Sequence, residues 1–439
     1  GYQANYSNLS NEGSNTIIGY QAGYTVGDAT TSLGGRDNTL VGYKAGYNLS
    51  YAARNTMMGY RAGNNAGASS ERNIAIGYQA MSNETTGIVT GDANIAVGAT
   101  TMTALSGASD ENVSIGGGFG KASAGVVGSY NIAIGNDTLT AVSGSVASQG
   151  NIALGKQTMN SMRRGDYNVA IGRFALGDLD NGSSAQTYNT ALGTYAGQNC
   201  TTGSSNVYLG AYAGPSGDTE ESNKLYIANA AGTPLIGGDF STGRVGIGTT
   251  APDQKLDVRG HLQLKSTSNS AVEIIGDSNR SGADSSITGL LGYWNGTKVA
   301  DMLIVTGDDT TNKDNAGFIF RTATAGTVAE RLRIADDGKV GIGIDSPDEL
   351  LHLESATASK PVLLIQNTNA DANAGELQFY KKTTGEADND LAGNISFYFD
   401  NDGSVDGVEK VRAAQIYATS VDVTEDSEDG AIFGKHVYN

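Results

Sequence analysis

Asn131-Ile132-Ala133-Ile134-Gly135, Asn151-Ile152-Ala153-Leu154-Gly155 and Asn168-Val169-Ala170-Ile171-Gly172 are three copies of one pentad, and its reading decides the fold. Further copies begin at Asn15, Asn38, Asn55, Asn73, Asn94, Asn112, Asn189 and Asn206, eleven in all, with Gly77, Gly98 and Gly193 closing three of them. A degenerate twelfth is expected at Asn223-Lys224-Leu225-Tyr226-Ile227. The pentad is often followed by x-x-Ala-Gly, as in Tyr20-Gln21-Ala22-Gly23. Successive asparagines lie 17 to 23 residues apart and 17 recurs, so the shortest spacing marks the minimal coil. The extra residues fall between x-x-Ala-Gly and the next asparagine, in polar stretches such as residues 86–92. Insertions confined to one point of a repeat map to loops on one side of a solenoid.

Within the pentad, side chains alternate. Ile132 and Ile134 point to one face, and Asn131, Ala133 and Gly135 to the other. The small face admits another layer or chain, while the aliphatic face needs cover. Glycine in fifth place suits a positive φ or a close backbone approach. Asparagine in first place can cap a turn or stack as a ladder between coils. Frequent glycine and β-branched residues argue against helix, and the nonapeptides of a calcium-binding β-roll are missing. The expected fold is all-β: a parallel β-roll or solenoid with two short strands per coil. Such a coil is thin, and a repeat that cannot bury its own face calls for partners. A parallel homotrimer is therefore expected.

The asparagine–glycine repeat resembles the head of YadA-like trimeric adhesins, over roughly residues 1–222. That resemblance implies a left-handed β-roll with three chains packed about one axis. The present coil is longer than is typical there, which leaves room for outer loops. A second resemblance begins at Arg244. The run Val245-Gly246-Ile247-Gly248-Thr249-Thr250-Ala251-Pro252, continuing to Leu256-Asp257-Val258, resembles an element of bacteriophage tail fibres. It recurs as Val340-Gly341-Ile342-Gly343, continuing to Leu351-His352-Leu353. The strands Leu225-Tyr226-Ile227-Ala228 and Leu332-Arg333-Ile334-Ala335 are expected to precede the two copies in equivalent places. The segments around Leu391, Ala414 and Glu425 resemble a β-module of marine-phage fibres, and Glu376–Tyr380 alternates as a strand would. In that family another such element and a self-cleaving chaperone domain often follow. The expected division is 1–222 repeats, 223–260 connector, 261–338 a β-rich module, and 339–439 a second module that lacks its closing strands. Gly1-Tyr2-Gln3-Ala4 reads like the second half of a repeat, as a piece of a longer protein would.

Composition narrows the function. The 439 residues include 62 glycines and 5 prolines, too little proline for a collagen-like rod. Net charge is −18, which disfavours nucleic acid as a partner. Residues 1–243 hold 11 basic and 16 acidic side chains and the remainder 17 and 30, so the acidity lies mostly after the repeats. Cys200 is the single cysteine, so no disulfide forms within one chain. No apolar run is long enough to span a membrane.

Candidate sites are few. Asp400, Asp402 and Asp406 could offer carboxylates to calcium, but the loop does not match an EF-hand and reads better as an acidic turn. The run 425–429 reads as a solvated acidic loop. His261, His352 and His436 are scattered, and two of them sit in or after a Val-Gly-Ile-Gly element, as structural residues would. Gly246 and Gly248 lack the third glycine of a dinucleotide loop. Carboxylate pairs for glycan cleavage come from distant positions and have no local signature. Tyrosines after the repeat glycine, such as Tyr20, Tyr43, Tyr60 and Tyr78, are expected to pack between coils rather than bind ligand. No catalytic residue and no cofactor are expected. The leading expectation is a virion fibre that contacts a host surface glycan or protein and other virion proteins, located on the extracellular particle. Its rivals are a trimeric adhesin on a bacterial outer surface and a glycan-degrading fibre. In the leading reading the repeats are a rigid spacer of about 50 Å, and binding lies in outer loops or in 261–439.

Overall fold

The computed structural model describes residues 1–8, 14–27, 35–49, 52–65, 70–82, 91–103, 109–119, 128–141, 148–179, 186–267, 271–369, 375–382, 391–401, 409–422 and 429–436. Of these, 7–8, 399–401, 409–411, 420–422 and 429–436 are described as backbone. The protein is all-β, with no helix among the described residues. It divides into two compact units, Gly1–Thr267 and Ser268–Asn439.

The first unit is a β-solenoid. Each pentad contributes one short strand, from Thr16–Ile18 and Thr39–Val41 through to Thr190–Leu192 and Val207–Leu209. All eleven stack in parallel and in register, motif upon motif: Ile132 pairs with Ile152, Ala133 with Ala153, and Ile134 with Leu154. The twelfth strand, Lys224–Ile227, sits one residue later than the sequence suggests. Val207 pairs with Leu225 and Tyr208 with Tyr226, so Lys224 rather than Asn223 takes the asparagine position. Asn223 instead has φ 61°, like Tyr188 and Ser205 before the two preceding pentads.

The expected second strand of each coil is a correction. Among the described residues the opposite wall is a series of turns, with two-residue strands at Ser7–Asn8, Thr25–Val26, Asn48–Leu49, Gly165–Asp166 and Gln186–Thr187. Left-handed residues prevent a regular strand. The second residue after the pentad glycine has φ near 50–59° in Gln21, Lys44, Arg61, Gln79, Gln157, Phe174, Tyr195 and Tyr212. The fourth is left-handed too, as in Gly23, Gly46, Gly63, Met81 and Met159. Such alternation turns the chain yet keeps its hydrogen bonds aimed at neighbouring coils. Lys44 N–H donates to the Tyr20 carbonyl at 2.9 Å, and Gly46 N–H to the Ala62 carbonyl at 2.8 Å.

The core lies between these walls, on the small face of the pentad. Ala75, Ala96, Ala133, Ala153, Ala170 and Ala191 are fully covered. Core volume is shared between two positions. Where the middle of the pentad is large (Ile17, Leu40, Met57, Tyr208), the fourth residue after its glycine is Gly23, Gly46, Gly63 or Gly214. Where the middle is alanine, that residue is Met81, Met102, Leu139, Met159 or Leu176, each buried and left-handed. Ala191 with Gly197 departs from the rule, and the side chains of Tyr208 and Leu176 from adjacent coils fill the gap. A Cβ on Gly63 would overlap the Met57 sulfur.

Two devices fix the stacking. A Cβ on Gly135 or Gly172, both at strongly positive φ, would run into the carbonyl of the next pentad glycine. The asparagines form a buried ladder. Asn151 Oδ1 accepts from the Asn168 N–H and Nδ2 at 3.0 and 3.1 Å, while Asn151 Nδ2 donates to the Gly165 carbonyl at 2.7 Å. The ladder runs from Asn15 to Asn206 and ends on the N–H of Lys224. Asp92, which closes one polar insertion, also joins the stacking, accepting from the Glu71 N–H at 2.7 Å.

The same sheet continues through Ile236–Asp239 and Arg244–Ile247, antiparallel, and ends on Leu256–Val258, parallel to its neighbour. In the second unit, Ser286–Trp294, Thr297–Thr306, Ala316–Thr324 and Thr327–Ile334 form an antiparallel meander, followed by Val340–Ile342 and Leu351–Leu353. The two Val-Gly-Ile-Gly copies match in register: Val245 pairs with Leu256 as Val340 does with Leu351. The strand expected before the first copy needs correction. Ile342 pairs with Leu332, and Ile247 pairs with Ile236, so Leu225–Ala228 lies one strand further away. The register also separates the histidines. His352 stands where Asp257 does, and His261 has no such place. A third sheet holds Leu391–Asn401, Glu409–Asp422 and Asp429–His436. Residues 376–380 join no sheet: alternation is present, but no strand edge pairs with them.

The shared-volume rule is testable by exchange. Met57→Ala is expected to cost about 2–5 kcal/mol through the cavity it leaves, and Gly63→Met to destabilise by overpacking. The double variant should recover most of the loss, because it recreates the alanine–methionine pairing of the next coil. Chemical denaturation of the four proteins measures the coupling, and additive losses would contradict the rule.

Candidate functional site

The repeat residues named from sequence are structural. Asn73, Asn94, Asn131, Asn151, Asn168 and Asn189 are inaccessible ladder members. Gly77, Gly98, Gly135, Gly155, Gly172 and Gly193 lie where a side chain would strike the next coil's backbone. Gly246 and Gly341 lie under the chain that folds back after them, and Gly248 and Gly343 take left-handed φ of 73° and 81°. Asp402, Asp406 and residues 425–428 lie outside the described residues, and Asp400 is described only as backbone. Among the described residues no group of three or more His, Cys, Asp or Glu side chains is placed to hold a metal ion. No helix there is long and apolar enough to cross a membrane.

The other polar candidates are tied into the architecture. The Nδ1 of His352 accepts from the Asp348 N–H at 3.3 Å, as Asp257 Oδ2 does from Asp253 at 3.2 Å. Cys200 is buried, and burial pushes its thiol up in pKa, away from the reactive thiolate. Carboxylates gather at a recess lined by Asp284, Asp308, Asp336 and Asp348. Several are engaged: Asp336 accepts from Asn315 at 2.6 Å and from the Asp308 N–H at 3.0 Å, and Asp284 meets Arg333 at 2.7 Å. In the meander, the covered carboxylate of Asp301 takes a two-pronged contact from Arg321, at 2.8 Å on each oxygen, and a third from Lys298.

Three surfaces remain. One is the outer face of the solenoid strands. The residue before each pentad glycine is aliphatic in all eleven copies, and Ile18, Met58, Ile76, Ile115, Ile134, Ile171, Leu192 and Leu209 are exposed. The second is the faces of the second unit, where the covered core among the described residues is Leu303, Val305 and Ile319. There Leu290, Leu291, Tyr293, Phe318 and Phe320 are exposed, and Trp294 is 78% exposed. Trp294 precedes a hairpin turn of Asn295 and Gly296, both left-handed. That Asn-Gly pair is a hairpin signal which the reading of the sequence missed.

The third surface is aromatic. Tyr2, Tyr20, Tyr43, Tyr60 and Tyr78 form a column of nearly parallel rings with centroids 5.0–5.4 Å apart. The tyrosines do pack coil on coil, but outside the solenoid. A shorter column holds Tyr6, Tyr24 and Tyr47.

No protein-family model matches the chain, and no curated protein matches it. Fold and surfaces together define an all-β solenoid protein.

Asp301 gives a pH test of the meander. The Arg321 contact holds its carboxyl below the usual carboxylate range. A depressed folded pKa adds stability above the unfolded value of about 4, and that stability is lost as pH falls. Asp301→Asn should therefore lower the melting temperature of the second unit at neutral pH, with the gap to the parent closing in acid. A gap that stays constant with pH would contradict this.

Proposed function

We propose that this chain is a structural fibre protein of a virion, a bacteriophage tail fibre or appendage, that works as a parallel homotrimer in attachment to a host surface. The observation that carries this reading is the uncovered aliphatic row along the strands. A soluble chain rarely leaves a continuous apolar stripe in water. Here the stripe repeats once per coil over the whole solenoid, so its partner must share that repeat and direction. A second and third copy of the same chain, set parallel, meet the requirement. The exposed apolar residues of the meander, Leu290, Leu291, Tyr293 and Trp294, add support, because a sheet face of this kind needs further packing. The tail-fibre reading rests on the two Val-Gly-Ile-Gly elements and their shared register. On this reading the chain is not an enzyme: its rods and sheets place a contact surface at a distance from the particle.

Charge on the stripe tests the proposal. Ile134→Glu with Ile171→Glu leaves the alanine core untouched and puts carboxylates on the outer row. The expected result is a solenoid with the parent's circular-dichroism spectrum that no longer assembles, and a labelled chain that no longer adsorbs to host cells. Unchanged assembly would count against the stripe as the contact between copies. Shortened host polysaccharide after incubation with the parent would favour a glycan-degrading fibre instead.

A further inference from the structure

Two columns of tyrosine run along one corner of the first coils, parallel to the stacking direction. Beside the longer column, at the residue after each of its tyrosines, come Gln3, Gln21, Lys44, Arg61 and Gln79, and in the first three of these coils the shorter column follows. We propose that this rail binds a linear, carboxylate-bearing polysaccharide laid along the stack. The inference rests on the attachment role proposed above and names the chemistry of its ligand.

The ring geometry selects the ligand. Each tyrosine covers the face of the next, with interplanar angles of 4–16° in the longer column. Faces that would take the C–H groups of a neutral sugar are thus occupied by other rings. What reaches solvent is a line of ring edges and hydroxyls, with Tyr2 at 67%, Tyr20 at 43% and Tyr78 at 53% exposure. An aromatic edge is the positive part of the ring's quadrupole, and a phenol is a hydrogen-bond donor. Cations reinforce this sign. Lys44 Nζ lies 5.7 Å from the Tyr43 ring centre and 4.9 Å from that of Tyr47, so it sits between the columns. Arg61 lies 5.4 Å from Tyr60. Gln21 and Gln3 join by a side-chain hydrogen bond of 2.8 Å, continuing the row.

Charge and spacing agree. The chain carries net charge −18, yet neither column nor the row beside the longer one contains an acidic residue. A pyranose chain with equatorial linkages advances by nearly the ring-to-ring distance at each sugar, so it keeps step with the coils. The left-handed φ at this position is shared with later coils, where Phe174, Tyr195 and Tyr212 take it, so it belongs to the fold. What sets the first five coils apart is the side chain, a long hydrogen-bond donor in each: Gln3, Gln21, Lys44, Arg61 and Gln79.

Calorimetric titration of the full assembled chain with a β-1,4-linked oligomannuronate tests the inference. The parent should bind, more weakly at high salt, and should ignore the same oligomer after its carboxyl groups are reduced. Lys44→Gln with Arg61→Gln should weaken binding about tenfold or more, the scale of lost charge-assisted hydrogen bonds, with melting temperature and assembly unchanged. Tyr20→Phe, Tyr43→Phe and Tyr60→Phe together keep the stack, remove hydroxyls and should also weaken binding. Absence of binding by the parent, equal binding of the reduced oligomer, or parental affinity in both variants would overturn the inference. Assembly and cell adsorption read on the same samples separate the two proposals. A chain that assembles and adsorbs but ignores the oligomer refutes the rail alone. A monomer that binds it refutes the trimeric fibre alone.

Discussion

Every coil of the solenoid depends on the coil after it for the partners of its own backbone and of its asparagine. The side-chain carbonyl of one asparagine accepts from the next, and the amide group donates to a neighbouring backbone carbonyl. Buried amides are costly when unpaired, so the ladder tolerates neither a missing rung nor a shift of register. The pentad glycine imposes the same condition sterically, because its α-carbon faces the next coil's carbonyl. Parallel, in-register stacking follows from these two contacts, and the alanine core follows from the stacking.

Close approach has a consequence for the outside. A coil thin enough to be filled by alanine on one wall and methionine, leucine or glycine on the other cannot also take in the isoleucines of its strand. Alternation sends them outward. The same geometry that makes the core efficient therefore leaves an aliphatic stripe in solvent, and places the tyrosines that follow the glycine at a corner where they stack in the open. Interior packing and exterior chemistry are two faces of one repeat, with the variable insertions kept to the stretch of sequence before each asparagine.

Much of this was legible in the sequence. The pentad announced strand and period, because alternation and glycine placement leave few alternatives, but which of its two faces turns inward was decided by burial, which puts the small face inside. The asparagine ladder was one of two readings offered by residue type, and buried partners decided between them. The second wall was misread as strand, since left-handed Gln21, Lys44 and Arg61 carry no local mark: only glycine advertises such conformations, and here ordinary residues adopt them. The slip at Asn223 has a similar cause, for a residue type that fits the ladder sits one place early. His261 and His352 appeared equivalent by nearness to a motif, whereas strand pairing equates His352 with Asp257. The volume exchange between Met57 and Gly63 or Ala75 and Met81 needed the structure, because it links positions that touch only when the two walls are brought together. The tyrosine rail was visible as a pattern of residues, but its sign was not, since that depends on which part of each ring faces water.

The central claim is that the aliphatic row is covered by copies of the same chain. Native mass measurement of the full chain at low concentration tests it most directly. The account predicts a species of three chains that persists on dilution. A folded, soluble single chain with the same strand content would contradict it.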